Sequence, residues 1–206
     1  CAIFIILSAV FDFFDGFVAR LLKVSSDIGK ELDSLADVIS FGFAPAALVC
    51  NMFKDYPYPE SMFWIAPYLP YAAFIIAAFS AVRLAKFNLD TRQSHSFIGM
   101  PTPANALLII GIANSPLLQV AWTTPIWGLV FLFSLIALTS YLLVCELPMF
   151  SLKTPSKLPL IFAVSALVLT IVLLCLGYGL LGLAISMVAY IIAFCQASCL
   201  RPAAVR

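Results

Sequence analysis

Four aspartates near the start of the chain are spaced as two matching pairs. Asp12 and Asp15 are three residues apart, and Asp33 and Asp37 are four residues apart. Residues at these spacings share one face of an α-helix, so each pair predicts a stripe of carboxylates. These four are among the ten acidic residues of a chain that is only 10% charged. Because carboxylates are costly in or near a bilayer, their grouping indicates a functional site.

The segment between the two pairs predicts how they meet. Residues 21–30 are few and include two serines, an aspartate and a glycine, so the chain can reverse there and bring the stripes face to face. Four facing carboxylates repel one another strongly where the dielectric constant is low. Divalent cations relieve that repulsion, and ligation by oxygen alone favours Mg, Mn or Ca over Zn or Cu. The pattern therefore predicts a divalent-metal site.

Two small residues, Gly16 and Ala19, lie on the same face as Asp12 and Asp15. They add a flat surface where a ligand could approach the backbone. A single aspartate at a helix end is commonly a cap or a solvated residue. Four of them, interleaved with small residues, favour the metal site instead.

The whole run reads D-x2-D-G-x2-A-R-x8-G-x3-D-x3-D between Asp12 and Asp37. At every position it resembles the signature of the CDP-alcohol phosphotransferase family. The resemblance extends well over residues 1–155, and the last fifty residues match only as hydrophobic helices. Further segments resemble the phosphatidylserine synthase branch (CDP-diacylglycerol–serine O-phosphatidyltransferase), namely residues 29–37, 40–46, 83–88 and 99–104.

This resemblance implies a role for each motif residue. Asp12, Asp15 and Asp33 are expected to be the main ligands of two divalent ions, Mg or Mn. Asp37 is expected to serve the second metal and to act as the base that accepts the proton of the incoming hydroxyl. The resemblance also implies that the CDP group is bound by Asp12, Gly16, Ala19, Arg20, Gly29 and Asp33.

Three polar residues further along the chain are candidates for binding the acceptor or the lipid phosphate. Arg83 and Lys86 are three residues apart at the end of a predicted span and so share a helix face. Either cation could hold a carboxylate or a phosphate, or could simply set the membrane topology. Asn88 could contact the substrate or cap the helix.

Composition predicts an all-α, polytopic membrane bundle, because 64% of the residues are hydrophobic and the mean hydropathy is +1.10. Each apolar run is close to the roughly 20 residues that cross a bilayer. We expect one transmembrane domain over 1–206, with the signature helices in 1–51 and an eighth span ahead of Cys1. The seven predicted spans are residues 1–22, 31–51, 62–86, 101–120, 124–145, 158–176 and 180–198.

Charge placement predicts the orientation. With seven spans, ten of the eleven basic residues fall on one face, and only Lys54 falls on the other. That bias marks the first face as cytoplasmic, so the aspartate site is expected to open towards the cytoplasm from an inner or cell membrane. The net charge of +1 and the lack of a dense basic cluster argue against nucleic-acid binding. The family resemblance implies a homodimer.

The expected function is that of a membrane transferase. It would move a phosphatidyl group from CDP-diacylglycerol to L-serine, releasing CMP and giving phosphatidylserine. The same chemistry with glycerol 3-phosphate or inositol phosphate as acceptor is the alternative. A divalent-cation transporter is a further alternative, but such sites usually lie near the membrane midplane, whereas these acids lie at helix ends.

Overall fold

The predicted all-α architecture is confirmed. The computed structural model describes residues 1–22, 26–89, 97–125, 127–145, 148–149 and 158–199, and nearly all of them are helical. The α-helices are α1 (Ala2–Leu22), α2 (Asp27–Asp37), α3 (Ala44–Lys54), α4 (Ile75–Leu89), α5 (Thr102–Ala113), α6 (Pro116–Thr123), α7 (Trp127–Val144), α8 (Leu158–Cys175) and α9 (Leu181–Cys199). A π-helical segment (Val38–Phe43) joins α2 to α3, and 3-10 turns occupy Glu60–Met62 and Leu69–Phe74.

The predicted count of seven spans is not confirmed in the described part of the chain. Four helical stretches in the described part of the chain are long and apolar enough to cross a bilayer: Ala2–Ala19, Ile28–Lys54, Leu69–Leu89 and Trp127–Val144. Helices α5 and α6 are together long and apolar enough for a fifth span, but they meet at an angle of 82°. They add a fifth span only if the bent pair is treated as one broken helix. Within the described residues, α8 and α9 contribute shorter apolar helices, Val164–Cys175 and Leu181–Ile192.

The bend between α5 and α6 has a local cause. Pro116 opens α6, and a proline has no backbone N–H with which to continue the preceding helix. Ser115 caps the new helix, since its side chain accepts a hydrogen bond from the backbone N–H of Leu118. The predicted span over 101–120 therefore consists of two helices that point in different directions.

The span that carries the second aspartate pair contains an irregular turn. The backbone widens to a π-helix over Val38–Phe43, just after Asp37. Within this segment Gly42 lies close to α4, and a Cβ atom at Gly42 would be 2.9 Å from the Cβ of Ser80. The absence of a side chain at Gly42 therefore lets α4 pack closely against the aspartate-bearing span.

Helix α5 lies at the centre of the bundle, since it contributes to all three apolar clusters. Ile109 packs with residues of α3, α4 and α7, among them Ile76 and Ile136. Ile110 packs with α1 and with the π-helical segment, and Leu108 packs with α7 and α9.

A short ladder closes one end of the bundle. The two-residue strands β1 (Phe97–Ile98) and β2 (Pro148–Met149) pair antiparallel. Next to them, the backbone N–H of Met100 donates to the carbonyl of Leu142 at 3.0 Å. The beginning of α5 is thereby fixed beside the end of α7.

Candidate active site

Helices α1 and α2 bring three of the four aspartates together. Carboxylate oxygens of Asp12, Asp15 and Asp33 all lie within 4.8 Å of one another. Asp12 is half-buried, whereas Asp15 and Asp33 are exposed. Of the four carboxylates that the spacing predicts to face one another, these three converge between α1 and α2, and Asp37 is not part of the group.

Asp37 lies one turn beyond Asp33, where α2 meets the π-helical segment. It is less exposed than Asp33, and its carboxylate interacts electrostatically with Asp12, Asp33 and Arg83. Asp37 is not one of the three residues that converge within 4.8 Å. Its position separates it from the convergent group and places it beside a buried cation.

The donor set fits a hard divalent cation. Three carboxylates this close repel one another unless a cation or a shared proton offsets their charge. Carboxylate oxygens are the ligands preferred by Mg²⁺, Mn²⁺ and Ca²⁺. Asp12, Asp15 and Asp33 can therefore hold such an ion. Asp37 interacts electrostatically with the same carboxylates and is therefore near enough to interact with an ion that they hold.

A groove of about 570 Å³ lies between α1 and α2, next to the carboxylates. It brings together the small residues predicted to bind CDP, namely Gly16, Ala19 and Gly29, although their role in binding stays a prediction. Ser26 and Lys30, which the sequence interpretation did not select, also face the groove. The full lining is Asp15, Gly16, Ala19, Ser26, Gly29, Lys30, Leu32, Asp33 and Ala36.

The two signature glycines differ in what surrounds them. A Cβ atom at Gly16 would meet nothing within 4 Å, whereas one at Gly29 would lie 2.8 Å from the Ser26 hydroxyl. That hydroxyl caps α2 by accepting a hydrogen bond from the Gly29 N–H at 3.0 Å. Gly29 therefore serves the helix cap, while the space above Gly16 remains open to a ligand.

This difference gives a prediction for Gly16→Leu. Since a Cβ atom at this position meets nothing within 4 Å, we expect the melting temperature to stay unchanged while the leucine side chain extends into the groove. Steric overlap costs about 1–3 kcal/mol, so affinity for CMP or CDP-diacylglycerol should fall about five- to 140-fold at about 1.4 kcal/mol per decade. The check is a ligand titration, with Val18→Leu on an exposed part of α1 as the matched control. Unchanged affinity would assign Gly16 to helix packing instead.

Arg83 is held inside the bundle beside the carboxylates. Its side chain is only 7% exposed, and its Nη1 donates to Thr102 Oγ1 at a long 3.5 Å. The guanidinium lies 5.8 Å from the centre of the Phe87 ring and interacts electrostatically with Asp37. Sequence spacing alone does not reveal the contact with Thr102, because the two residues belong to different helices.

The other two acceptor candidates, Lys86 and Asn88, are exposed residues of the same helix as Arg83. The amide Nδ2 of Asn88 donates to Ser34 Oγ at 3.0 Å, and Ser34 Oγ donates to the carbonyl of Lys30 at 3.1 Å. Asn88 thus ties the end of α4 to the helix that carries Asp33. The side chain of Arg20 lies outside the described residues, so its predicted role stays a prediction.

We expect Asn88→Ala to loosen α2 and so to weaken the metal site. A hydrogen bond of this kind is worth about 0.5–1.5 kcal/mol, which corresponds to about a two- to tenfold rise in the metal concentration needed for half-maximal activity. Because the effect acts through Ser34, the double variant Asn88→Ala/Ser34→Ala should be no worse than the single one. Additive losses, or a change in serine KM alone, would contradict this coupling.

Comparison with known proteins places the chain in a family. A model of the CDP-alcohol phosphatidyltransferase family matches residues 1–195. CDP-diacylglycerol–serine O-phosphatidyltransferase of Methanocaldococcus jannaschii is 42% identical over 110 residues, covering 53% of this chain and 48% of that protein. The enzyme of the same name from Mycobacterium leprae is 37% identical over 173 residues, covering 80% of this chain and 53% of that protein.

A third relative with this name, from Helicobacter pylori, is 42% identical over 108 residues, covering 52% of this chain and 42% of that protein. The chain spans about half the length of the curated relatives it matches. With convergent carboxylates on α1 and α2 and a family match over nearly its whole length, the chain belongs to the CDP-alcohol phosphatidyltransferase family.

Proposed function

We propose that this protein transfers a phosphatidyl group from CDP-diacylglycerol to L-serine, releasing CMP and giving phosphatidylserine. The observation that carries the proposal is the convergence of Asp12, Asp15 and Asp33 beside a groove floored by small residues. The names of the relatives support serine as the acceptor, since those proteins are serine O-phosphatidyltransferases.

In this proposal the carboxylates hold the metal and the groove holds the nucleotide. Bound divalent ions would offset the charge of the diphosphate and of the CMP phosphate as it leaves. Asp12, Asp15 and Asp33 would be the main ligands, with Asp37 contributing. Gly16 and Ala19 leave space for the cytidine, while Lys30 and the first turn of α2 lie on the side where the phosphates would bind.

Asp37 is suited to accept the proton of the acceptor hydroxyl. It lies one turn from Asp33 and outside the convergent group, so an oxygen of its carboxylate can face the incoming alcohol. The serine oxygen forms a bond to the phosphorus of the phosphatidyl group as the bond from that phosphorus to the CMP oxygen breaks. The hydroxyl proton passes to Asp37, and CMP leaves with the electron pair.

Arg83 would bind the anionic group of the acceptor or of the lipid. It is the buried cation beside Asp37, and a charge-assisted hydrogen bond from a guanidinium suits a carboxylate or a phosphate. Lys86 is exposed and Asn88 bonds to Ser34, and the acceptor role that the sequence predicted for each of them stays a prediction. A single buried cation among the described residues suits serine better than an acceptor that carries its own phosphate.

The membrane placement is part of the same proposal. We place the protein in the inner or cell membrane as a single membrane domain with seven spans and the aspartate site facing the cytoplasm, because the predicted basic flanks lie on that side. Exposed large apolar side chains along α1, such as Ile3 and Phe4, suit contact with lipid. A homodimer remains part of the proposal on family resemblance.

An acceptor panel tests this function. Purified full-length protein is mixed with CDP-diacylglycerol and Mn²⁺ or Mg²⁺, and then with serine, glycerol 3-phosphate or inositol phosphate, while CMP release is followed. We expect release to depend on serine and to stop when a chelator removes the metal. CMP release with a phosphorylated acceptor but not with serine would support phosphatidyl transfer and would contradict serine as the acceptor.

A further inference from the structure

Unpaired polar atoms are concentrated in one part of the interior. The described part of the chain contains seven buried side-chain nitrogen or oxygen atoms without a hydrogen-bond partner, and five of them belong to residues of α4, α5 and α7. These five are Ser80 Oγ, Arg83 Nε, the amide nitrogen and oxygen of Asn105, and Ser140 Oγ.

Three of these residues occupy equivalent places on three helices. Ile76, Ile109 and Ile136 pack in one apolar cluster. Ser80, Asn105 and Ser140 are each four residues, or about one turn, from one of these isoleucines. We call these three polar residues the buried polar layer.

On all three helices, the direction from the isoleucine to its polar residue is towards the same end of the bundle. The beginning of α5 contacts the end of α7 through the Met100–Leu142 hydrogen bond, so α5 runs opposite to α7. Arg83 on α4 likewise reaches Thr102 at the beginning of α5. The buried polar layer therefore lies on the side of the apolar cluster that faces Arg83 and the aspartate site.

Burying these polar atoms costs free energy unless a partner supplies the missing hydrogen bonds. Asn105 is fully buried, yet its amide could donate two hydrogen bonds and accept two. An unsatisfied polar group costs several kcal/mol inside a membrane protein, where no bulk water can replace the missing bonds. An apolar residue at each of these positions would pack without that cost, so the layer points to a polar ligand.

The chemistry of the layer and its neighbour suits a small zwitterion. Arg83 supplies one cation for a carboxylate, and Asn105 and the serine hydroxyls supply uncharged oxygens for an ammonium group. A ligand with two negative charges would find only this one buried cation among the described residues of the region. Arg83 also interacts with Asp37, so a ligand held here reaches the aspartate site.

We propose that the buried polar layer is the recognition subsite for the amino and carboxyl groups of a short amino-alcohol acceptor. The proposal rests on the proposed function and deepens it, because it names the residues that select the acceptor. The layer is closed to solvent in this structure, so the acceptor must displace the Arg83 side chain from Thr102. Their hydrogen bond, at 3.5 Å, is at the long limit for such bonds and can give way.

The test is Asn105→Leu in the full-length protein. Leucine fills a similar volume and removes the unpaired amide, so the melting temperature should stay equal or rise. The apparent KM for serine should rise at least tenfold, while the KM for CDP-diacylglycerol should stay within twofold. Asn114→Leu is the matched control, since Asn114 is at the opposite end of α5, where its amide donates to the Ile110 carbonyl. It should leave both KM values unchanged.

Two milder variants keep the proposal testable if leucine at position 105 prevents folding. Ser80→Ala and Ser140→Ala should each raise the serine KM about threefold or more without changing the KM for the lipid. A folded Asn105→Leu protein with normal serine KM would overturn the proposal, as would alanine variants that leave it normal. A lower melting temperature, with the KM values for serine and lipid shifted equally, would show that the buried polar layer serves packing and would overturn the proposal.

Failure of the proposed function would look different. Wild-type protein would then show no serine-dependent CMP release at all. If the wild type used a phosphorylated acceptor instead, the assignment of the layer to a zwitterion would also be wrong.

Discussion

Replacing Asp33 by Asn should lower kcat/KM for CMP release by at least about a thousandfold while the protein remains folded. Asp33 is one of three converging carboxylates, and loss of a ligand removes several kcal/mol of transition-state stabilisation by the metal. A thousandfold corresponds to about 4 kcal/mol at 1.36 kcal/mol per decade. Because Asp33 is exposed, its replacement leaves the core of the bundle intact.

Thermal melts separate this effect from misfolding. Without metal, Asp33→Asn should melt at the same temperature or higher, since it removes one of three mutually repelling charges. Added Mn²⁺ should stabilise the wild type but not the variant. Glu31→Gln, an exposed acid on the same helix that does not line the groove, is the control and should behave like wild type. Near-normal CMP release by Asp33→Asn would contradict the assignment of these carboxylates as a metal site that turnover requires.

Replacing Asp37 by Asn should cost about 10²–10⁴-fold in kcat, the usual loss of a general base. Asp37 lies outside the group of carboxylates that converge within 4.8 Å, so the binding of metal and CDP-diacylglycerol should largely persist. The measurement is turnover set beside the stabilisation of the protein by Mn²⁺ and by CMP. Asp55→Asn, beyond the far end of α3, is the control and should leave both quantities unchanged.

Two outcomes would contradict the base role of Asp37. If metal and nucleotide binding collapse together with turnover, Asp37 is a ligand first. If turnover is unchanged, the proton must pass to another group, and the electrostatic interaction of Asp37 with Arg83 would be purely structural.

The carboxylate cluster could be predicted from the sequence because it depends on short-range rules. Asp12 and Asp15 lie on one helix and Asp33 on the next, and few residues connect them. Helical periodicity fixes the direction of each carboxylate, and the short connection fixes the partner. The structure brings these three residues together as that reasoning predicts.

The surroundings of Arg83 and Asn88 could not be read in the same way. Asn88 bonds to Ser34, which is 54 residues away, and Arg83 bonds to Thr102, which is 19 residues away. Such contacts depend on how helices pack, and no local spacing encodes them. The sequence therefore identified Arg83 as a candidate but missed Thr102, Asn105 and the link between Asn88 and α2.

The predicted span over 101–120 differs from the structure for a local reason that the sequence contains. Ser115-Pro116 is a dipeptide that favours a break in a helix, whereas hydropathy favours one continuous span over 101–120. The capping hydroxyl of Ser115 and the missing N–H of Pro116 instead start a separate helix, α6, at 82° to α5. Apolar composition measures whether a segment suits lipid and does not measure whether it is straight.

Transfer of labelled serine into lipid tests the central claim most directly. Purified full-length protein is incubated with CDP-diacylglycerol, Mn²⁺ and radiolabelled serine, and the label in the organic extract is compared with the CMP released. We predict that one labelled serine enters the lipid for each CMP released. Both labelling and CMP release should be lost when a chelator is added and in the Asp33→Asn variant. Metal-dependent CMP release that leaves the serine label in the aqueous phase would contradict it, as would labelling that persists in the chelator.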